Sequence, residues 1–211
     1  LVKDPKLVKS FDTLSILIAV TLKELLTNFG LENIKKKRPN DVYVNSKKIA
    51  GILLEGINEG NELKAVIVGV GLNVNQNEFI DGLRISPTSM KLELNEEIDI
   101  KKLRKSTYKL FYKNVKNIDS IDYLKIANDS NYLKNKEVSF EYNGTIMNGV
   151  AKDINKDNSL TVISKDKEYK VKREVPKYLG AVCETAGQFA YIYALADSEH
   201  VMLSAPIISS Y

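Results

Sequence analysis

The segment from Thr13 to Asn28 constrains the fold most, because its apolar residues cover most of the circumference of a predicted helix. Asp12 is expected to cap the N-terminus of this helix, and Gly30 is expected to follow its C-terminus. A helix that is apolar on nearly every side has to be buried. The rest of the chain must therefore build a core around it, and a hydrophobic content of 44% is sufficient for that.

Three β-like segments follow the helix, at residues 41–44, 49–54 and 64–70. The last two are separated by residues 55–62, which include Gly56, Asn58 and Gly60. This spacing predicts a hairpin whose strands are joined by a flexible loop.

A second helical pattern covers residues 99–118, and a shorter one covers residues 121–127. The longer segment places its apolar residues on one side, as an amphipathic helix does. These residues are Leu103, Leu110, Phe111 and Val115.

Near residue 131 the hydrophobic pattern changes from a helical period to an alternating one. Val138, Phe140 and Tyr142 alternate with polar residues, and Asn143–Gly144 is a strong signal for a two-residue hairpin turn. Further strands are predicted at residues 145–154, 160–163 and 169–171. We therefore predict a first domain over residues 1–130, a small all-β domain over 131–176, and an unassigned tail over 177–211.

The bulk properties exclude several classes of protein. The net charge of +4 suits an acidic partner or a phosphate-bearing ligand, but little aromatic interleaving accompanies the basic residues, so nucleic acid binding is not predicted. The single cysteine, Cys183, excludes an internal disulfide framework and fits a reducing cytoplasm. His200 is the only histidine, so no metal site is predicted. The most apolar stretch is interrupted by charged residues and is too short to span a membrane.

The residues that could take part in catalysis or ligand binding are concentrated between positions 37 and 75. Pro39 cannot donate to a sheet ladder, so Pro39-Asn40-Asp41 is predicted to form a turn that leads into a strand. Lys48 stands at the beginning of the next strand, where its ammonium group can point into a cleft. The alternative interpretation is a solvated lysine beside Lys47.

A strand ending in Gly69-Val70-Gly71 allows a ligand to approach the backbone closely. This segment is neither a dinucleotide fingerprint nor a phosphate-binding P-loop, since the required further glycines and lysine are absent. Asn73 and Asn75 can bind a sugar or a base, although asparagines after a strand commonly only form a turn.

Taken together and in this order, these segments resemble the signature of the biotin–protein ligases. In that family a K-W-P-N-D turn precedes a K-x-A-G-I-L-x-E strand and a G-x-G-x-N segment. Residues 37–41, 48–55 and 69–73 follow this pattern, and Pro87-Thr88-Ser89-Met90 resembles a later A-T-S-L motif. Residues 148–154 are similar to the small C-terminal SH3-like domain. The resemblance covers about residues 11–175. It implies an α/β (α+β) catalytic domain with a mixed sheet, followed by a small all-β SH3-like barrel.

The resemblance also implies an activity. The family joins biotin to ATP, forming biotinyl-5′-AMP with Mg²⁺, and then transfers biotin to a lysine of a biotin carboxyl carrier protein. By position, Lys48 matches the lysine that lies against biotin and the α-phosphate, and it is the expected catalytic residue. The expected substrate- or nucleotide-binding residues are Lys37, Asn40, Asp41, Gly51, Gly71 and Asn73.

Two departures from the family pattern bear on this expectation. Arg38 replaces the tryptophan of K-W-P-N-D, and it can stack or bind anions in its place. No segment matches the family's G-R-G-R-x-G-R loop, which folds over biotin, so we expect an N-terminally truncated ligase that can be inactive as this fragment. The alternatives are a lipoate–protein ligase, or a non-catalytic module that binds a carrier domain or forms a homodimer.

Overall fold

The computed structural model describes residues 11–80, 85–172, 190–191, 193–196 and 201–204. Within these ranges the main helices and strands follow one another in the order α1 (Phe11–Asn28), β1 (Ile34–Lys37), β2 (Asp41–Val44), β3 (Lys47–Glu59), β4 (Glu62–Leu72), α2 (Met90–Leu94), α3 (Ile100–Lys116), α4 (Tyr123–Asp129), β5 (Glu137–Tyr142), β6 (Thr145–Ile154), β7 (Leu160–Ser164) and β8 (Lys167–Val171). A 3₁₀ turn (Ile118–Ser120) links α3 to α4, and three short strands lie in the tail: β9 (Ala190–Tyr191), β10 (Tyr193–Ala196) and β11 (Val201–Ser204). Cys183, His200 and residues 173–176 lie outside the described residues.

Helix α1 confirms the prediction of a buried apolar helix. Its residues from Leu14 to Leu22 are all less than 5% exposed. Gly30, with φ of +95°, follows its end as predicted, because this backbone conformation favours glycine. The prediction that Asp12 caps the N-terminus is wrong. The helix already includes Phe11, and Asp12 lies in its first turn.

Two hydrophobic clusters share helix α1. The larger cluster packs one side of the helix against strands β2, β3 and β4 and against helix α3. The smaller cluster takes Ile16 and Val20 from the same helix and packs them against the strands from β5 to β8. Burial of apolar surface on both sides explains why this helix is apolar around its circumference.

The first sheet has the strand order β1-β2-β3-β4-β9, and every ladder in it is antiparallel. The expectation of a mixed sheet is therefore wrong for the described strands, where parallel pairing is confined to two isolated bridges, Lys36 with Asn131 and Lys48 with Pro87. The predicted loop over residues 55–62 is also wrong. Strands β3 and β4 continue through it and are joined by Gly60 and Asn61 alone, so the hairpin is longer and more regular than the glycines suggested.

Strands β5 to β8 form a separate four-stranded antiparallel sheet. The predicted Asn143–Gly144 turn is confirmed, and both residues have positive φ, as the favoured two-residue hairpin turn requires. At Gly149 a Cβ atom would lie 2.6 Å from the Ile163 backbone oxygen, so this position admits only glycine without a shift of the neighbouring strand.

No helix in the described part of the chain is both long enough and apolar enough to cross a bilayer.

Candidate functional site

The candidate site lies on the face of the first sheet that is turned away from the larger core. Strand register pairs Asp41 with Gly51, and Gly51 in turn with Gly71. Residues paired across neighbouring strands point to the same face, so these three form one row across β2, β3 and β4. Their neighbours along β3, Ala50 and Ile52, point to the opposite face and are buried.

A β-bulge brings Lys48 onto this face. Lys48 and Gly51 are three positions apart, and in a regular strand residues at this spacing point to opposite sides. The register between β2 and β3 shifts after the pair Val42–Ala50, so that the next pair is Tyr43 with Lys48. Ile49 and Ala50 are consequently both buried, and the side chain of Lys48 emerges beside Gly51. A bulge that redirects one side chain is typical of functional sites.

Lys48 forms an ion pair on this face. Its Nζ lies 2.8 Å from Asp41 Oδ1, and the two side chains are 35% and 20% exposed. The ammonium group is thus oriented by a carboxylate while still reachable from solvent. The Lys48 ammonium group can exchange part of its contact with Asp41 for a contact with a negatively charged ligand, because it forms charge-assisted hydrogen bonds with phosphate as well as with carboxylate.

Glycines form a floor without side chains next to the ion pair. Gly51 and Gly71 lie opposite each other, and Gly69 lies opposite Leu53. A Cβ atom at Gly51 would lie 3.7 Å from Lys48 Cε and 3.8 Å from Lys48 Nζ. The backbone is therefore open to a flat ligand directly beneath the lysine, and an added methyl group would occupy that space.

Asn73 supports the site from the end of β4. Its backbone N–H donates to Ile49 O at 2.9 Å, and its side-chain amide donates to Thr88 O at 2.9 Å. Asn73 therefore joins the bulged strand to the segment that begins at Thr88. Its amide nitrogen is engaged in a protein contact, which leaves the side-chain oxygen as the group that can face a ligand.

Asn40 borders a cavity of about 290 Å³. Its Oδ1 accepts a hydrogen bond from Ser15 Oγ at 3.3 Å, and its backbone oxygen accepts one from Ile52 N at 2.7 Å. The cavity lies between the start of α1, the turn before β2 and the second sheet. Its lining consists of Asp12, Ser15, Arg38, Pro39, Asn40, Leu53, Leu54, Asp157, Asn158 and Lys172. Leu53 also borders the glycine floor, so cavity and floor share a wall.

Lys37 pairs with Asp41 across β1 and β2, one step away from the ion pair. Its Nζ lies 3.4 Å from Tyr43 Oη and 5.4 Å from the centre of the same ring. Tyr43 is 3% exposed and stacks on Tyr132 with ring centres 4.8 Å apart. Lys37 is therefore held against an aromatic pair at the edge of the site rather than beside Lys48.

Arg38 lines the cavity, and its guanidinium group bonds to backbone oxygens on the side of the second sheet. The side chain is 4% exposed, its Nε donates to Asn158 O, and its Nη2 donates to Lys172 O at 3.0 Å. Both acceptors belong to the part of the chain that forms the second sheet. The residue that replaces the family's tryptophan thus ties the turn before β2 to that second sheet.

Sequence reasoning missed the contribution of Thr88, Glu93 and Tyr43. Thr88 Oγ1 donates to Glu93 Oε1 at 2.6 Å, close to the backbone of Lys48. The Pro87-Thr88-Ser89-Met90 motif was a usable signal for Thr88, whereas nothing local marked Glu93 or Tyr43.

The described residues contain no group of three or more His, Cys, Asp or Glu side chains placed to hold a metal ion. One carboxyl group near the cavity has a shifted pKa. The hydrogen bond from the Ser159 hydroxyl lowers the pKa of Asp157 below its usual value, because it stabilises the ionised form. Asp41 is the carboxylate that stands within reach of the Lys48 ammonium group.

Comparison with known proteins finds similarity to ligases over part of the chain. Residues 4–73 match the biotin/lipoate A/B protein ligase family. The bifunctional ligase/repressor BirA of Bacillus subtilis (strain 168) is 38% identical over 88 residues, which are 41% of this chain and 27% of that protein. BirA of Escherichia coli (strain K12) is 33% identical over 61 residues, 29% of this chain and 19% of that protein. The matched segments thus span about a quarter or less of these curated relatives.

Solved structures show the same fold over a larger part of the chain. The apo structure of biotin protein ligase from Aquifex aeolicus has a TM-score of 0.68 and 20% identity, covering 80% of this chain and 75% of that one. The same protein in complex with biotin and ATP has a TM-score of 0.68 and covers 80% and 71%. At this level of identity the similarity establishes a shared mixed α/β fold with two antiparallel sheets.

Proposed function

We propose that the chain is a biotin–protein ligase, which activates biotin with ATP to biotinyl-5′-AMP and transfers the biotin to a lysine of a carrier domain. The match of residues 4–73 to the biotin/lipoate A/B protein ligase family and the similarity to BirA support this proposal. The observation that carries the proposal is the Lys48–Asp41 ion pair directly above the glycine floor. A solved relative is described in complex with biotin and ATP, the two substrates required.

The first step brings two anions together. The carboxylate oxygen of biotin attacks the α-phosphorus of ATP, a P–O bond forms, and the bond to pyrophosphate breaks. Negative charge accumulates on the phosphoryl oxygens and on the leaving group. A fixed cation beside the reacting atoms lowers this barrier most effectively, since catalysis of phosphoryl-type transfer depends chiefly on positioning and electrostatics. In this proposal Lys48 supplies that charge.

In the second step the amine of the target lysine attacks the acyl carbon of biotinyl-5′-AMP. The C–N bond forms, the bond to the phosphate oxygen breaks, and AMP leaves with the electron pair. The nitrogen releases one proton to solvent, so that the amide product is neutral. Lys48 again faces the phosphate side of the leaving group, so the same cation serves both steps.

The remaining site residues take binding roles in this proposal. Gly51 and Gly71 leave room for biotin against the backbone, and Asp41 orients Lys48. Asn40 and Asn73 border the nucleotide, and Lys37 adds positive charge at the edge of the site. Mg²⁺ would accompany the phosphates of ATP, and Asp41 would contribute at most one ligand, since Mg²⁺ commonly takes only one or two protein carboxylates.

We also propose that residues 131–176 form an SH3-like domain which flanks the site, with a boundary near residue 131. The strands from β5 to β8 and their separate cluster support this assignment. The partner would be a biotin carboxyl carrier protein. Since the reaction consumes ATP, the proposed location is the cytoplasm.

The test is biotin-dependent exchange of labelled pyrophosphate into ATP by the 211-residue chain. We expect exchange that requires biotin and that falls by at least about a hundredfold in Lys48→Ala, as for loss of a key electrostatic group. Lys47→Ala is the matched control, because Lys47 is an exposed lysine on the same strand. If the wild-type chain shows no exchange and does not bind biotin, the proposal is contradicted. Carrier binding without exchange would favour a non-catalytic module.

A lipoate–protein ligase is the second candidate, because the matching family includes lipoate ligases as well as biotin ligases. Exchange measured with biotin and with lipoate in parallel separates the two. If the chain is a biotin ligase, lipoate should support little exchange. Faster exchange with lipoate than with biotin would identify the chain as a lipoate ligase instead.

A further inference from the structure

The backbone of Lys48 is held by a segment outside the main sheet ladders. Its N–H donates to Ser86 O at 2.9 Å, and its carbonyl oxygen accepts from Thr88 N at 2.8 Å. These two bonds form the isolated parallel bridge between Lys48 and Pro87. Pairing between β3 and β4 begins only at Ala50, so residues 86–88 occupy the place beside Lys48 that β4 does not reach.

Thr88 is fixed in turn by Glu93. The Thr88 hydroxyl, on a residue that is 1% exposed, donates to Glu93 Oε1 at 2.6 Å. The other oxygen of Glu93 accepts from Asn45 Nδ2 at 2.7 Å. Asn45 lies in the tight turn that leads into β3, two residues before Lys47. Glu93 therefore connects both supports of Lys48, the preceding turn and the segment across from it.

The carboxylate is itself presented by a short rigid unit. Ser89 caps helix α2, since its Oγ accepts from Leu92 N at 3.2 Å and donates to Gln76 O at 2.7 Å. Met90, the first residue of α2, is completely buried in the larger core. The segment from Thr88 to Glu93 is thus anchored at its middle by the core while its two ends bond to each other.

We propose that Thr88 and Glu93 are positioning residues for the Lys48 ammonium group. Neither reaches the glycine floor by a contact of its own; both act by holding the bulge from which Lys48 emerges. Two of the bonds involve an ionised carboxylate, which makes them stronger than neutral hydrogen bonds. Small displacements matter at such a site, because a shift of about 1 Å in a reacting group can reduce a rate by about a hundredfold.

This inference rests on the proposed function for its effect on the reaction, but the support of the backbone can be measured separately. Thr88→Val removes the hydroxyl and keeps the shape, whereas Thr88→Ser keeps the hydroxyl. Glu93→Gln replaces one acceptor oxygen by a donor. Glu96→Gln is the matched control, since Glu96 is an exposed residue that follows the same helix.

The first readout is hydrogen exchange at the amides of Lys48 and Thr88 in the folded chain. We expect Thr88→Val and Glu93→Gln to raise exchange at both amides by about tenfold or more, as expected when a local opening becomes easier by one hydrogen bond. Thr88→Ser and Glu96→Gln should match the wild type. Unchanged protection of both amides in Thr88→Val and in Glu93→Gln would overturn the inference.

The second readout is the biotin-dependent exchange reaction. A positioning role predicts that kcat falls by about tenfold or more in Thr88→Val while KM for biotin changes little, and that Thr88→Ser restores kcat. A rise in KM alone, or an unaltered kcat, would overturn the role in catalysis. A wild-type chain without any exchange would refute the proposed function, and the amide measurements would still decide whether Thr88 and Glu93 hold the bulge.

Discussion

Two groups of cations lie close together in the chain and have opposite environments. At the junction between the sheets, Lys36 and Arg38 are each 4% exposed. Arg38 donates to two backbone carbonyls, and Lys36 Nζ donates to Pro39 O at 3.2 Å and to Asn158 Oδ1 at 3.3 Å. On the site face, Lys48 has a third of its side chain exposed and pairs with the carboxylate of Asp41.

The difference shows how position determines the role of a basic residue. A buried cation surrounded by fixed oxygens is costly to disturb, because removing it leaves desolvated acceptors without a donor. A cation paired at an open face contributes little to stability and remains available to a ligand. The junction cations therefore hold the two sheets together, whereas Lys48 remains exposed enough to take the role in chemistry that we propose for it.

The largest effect is expected at the junction. Arg38→Ala should lower the free energy of unfolding by about 3 kcal/mol, because the buried carbonyl of Asn158 and the partly buried carbonyl of Lys172 lose charge-assisted hydrogen bonds. Denaturant unfolding measures this change. Lys35→Ala, an exposed lysine on β1, serves as the control and should leave stability nearly unaltered. If Arg38→Ala lowers the free energy of unfolding as little as Lys35→Ala does, Arg38 is not a structural residue and its contrast with Lys48 is lost.

A smaller effect is expected at the glycine floor. Gly51→Ala places a methyl group at ordinary contact distance from Lys48, so the fold should tolerate it. The methyl group nevertheless occupies the space assigned to biotin, and we expect biotin affinity to fall about tenfold, near 1.4 kcal/mol. Calorimetric titration with biotin provides the measurement. Undiminished affinity would show that the ligand does not lie against this glycine.

The third effect, the loss of stability in Lys48→Ala, should be smaller still. A partly exposed ion pair is worth less than about 1 kcal/mol, so this variant should unfold almost as the wild type does. The same denaturant experiment as for Arg38 applies. A loss as large as that of Arg38→Ala would mean that Lys48 is a structural residue.

The smallest effect concerns Asp157, beside the junction. Its pKa is lowered chiefly by the Ser159 hydroxyl, so its contribution to stability is present above the usual aspartate pKa and is lost as the pH falls through the folded value. In Ser159→Ala the pKa of Asp157 should rise toward the ordinary value. Titration of the carboxyl carbon by NMR measures it. If the pKa of Asp157 is the same in Ser159→Ala as in the wild type, other neighbours must be responsible for lowering it.

Much of the local structure could be predicted from the sequence. Strand β2 and strand β6 have the predicted bounds, and the Asn143–Gly144 turn follows from residues that tolerate positive φ. Helix α1 was recognisable because its apolar surface requires burial. In each case the signal is contained in a few neighbouring residues.

The remaining features depend on contacts between distant residues. The bulge that turns Lys48 toward Gly51 arises from the register between β2 and β3, which alternation along one strand does not reveal. Arg38 finds its acceptor at Asn158, 120 residues away in the chain. The hairpin turn at Asn45 and Ser46 also has positive φ at both positions but contains no glycine, so it carried a weaker signal.

Biotin is proposed to bind on the face that carries Lys48 and the glycine floor. NMR titration of the ¹⁵N-labelled chain with biotin tests it most directly, because each amide reports separately. We expect the largest shifts at Lys48, Gly51 and Gly71, with little change at Asn158 in the junction. Shifts centred on the junction, or the absence of any shift at saturating biotin, would contradict it.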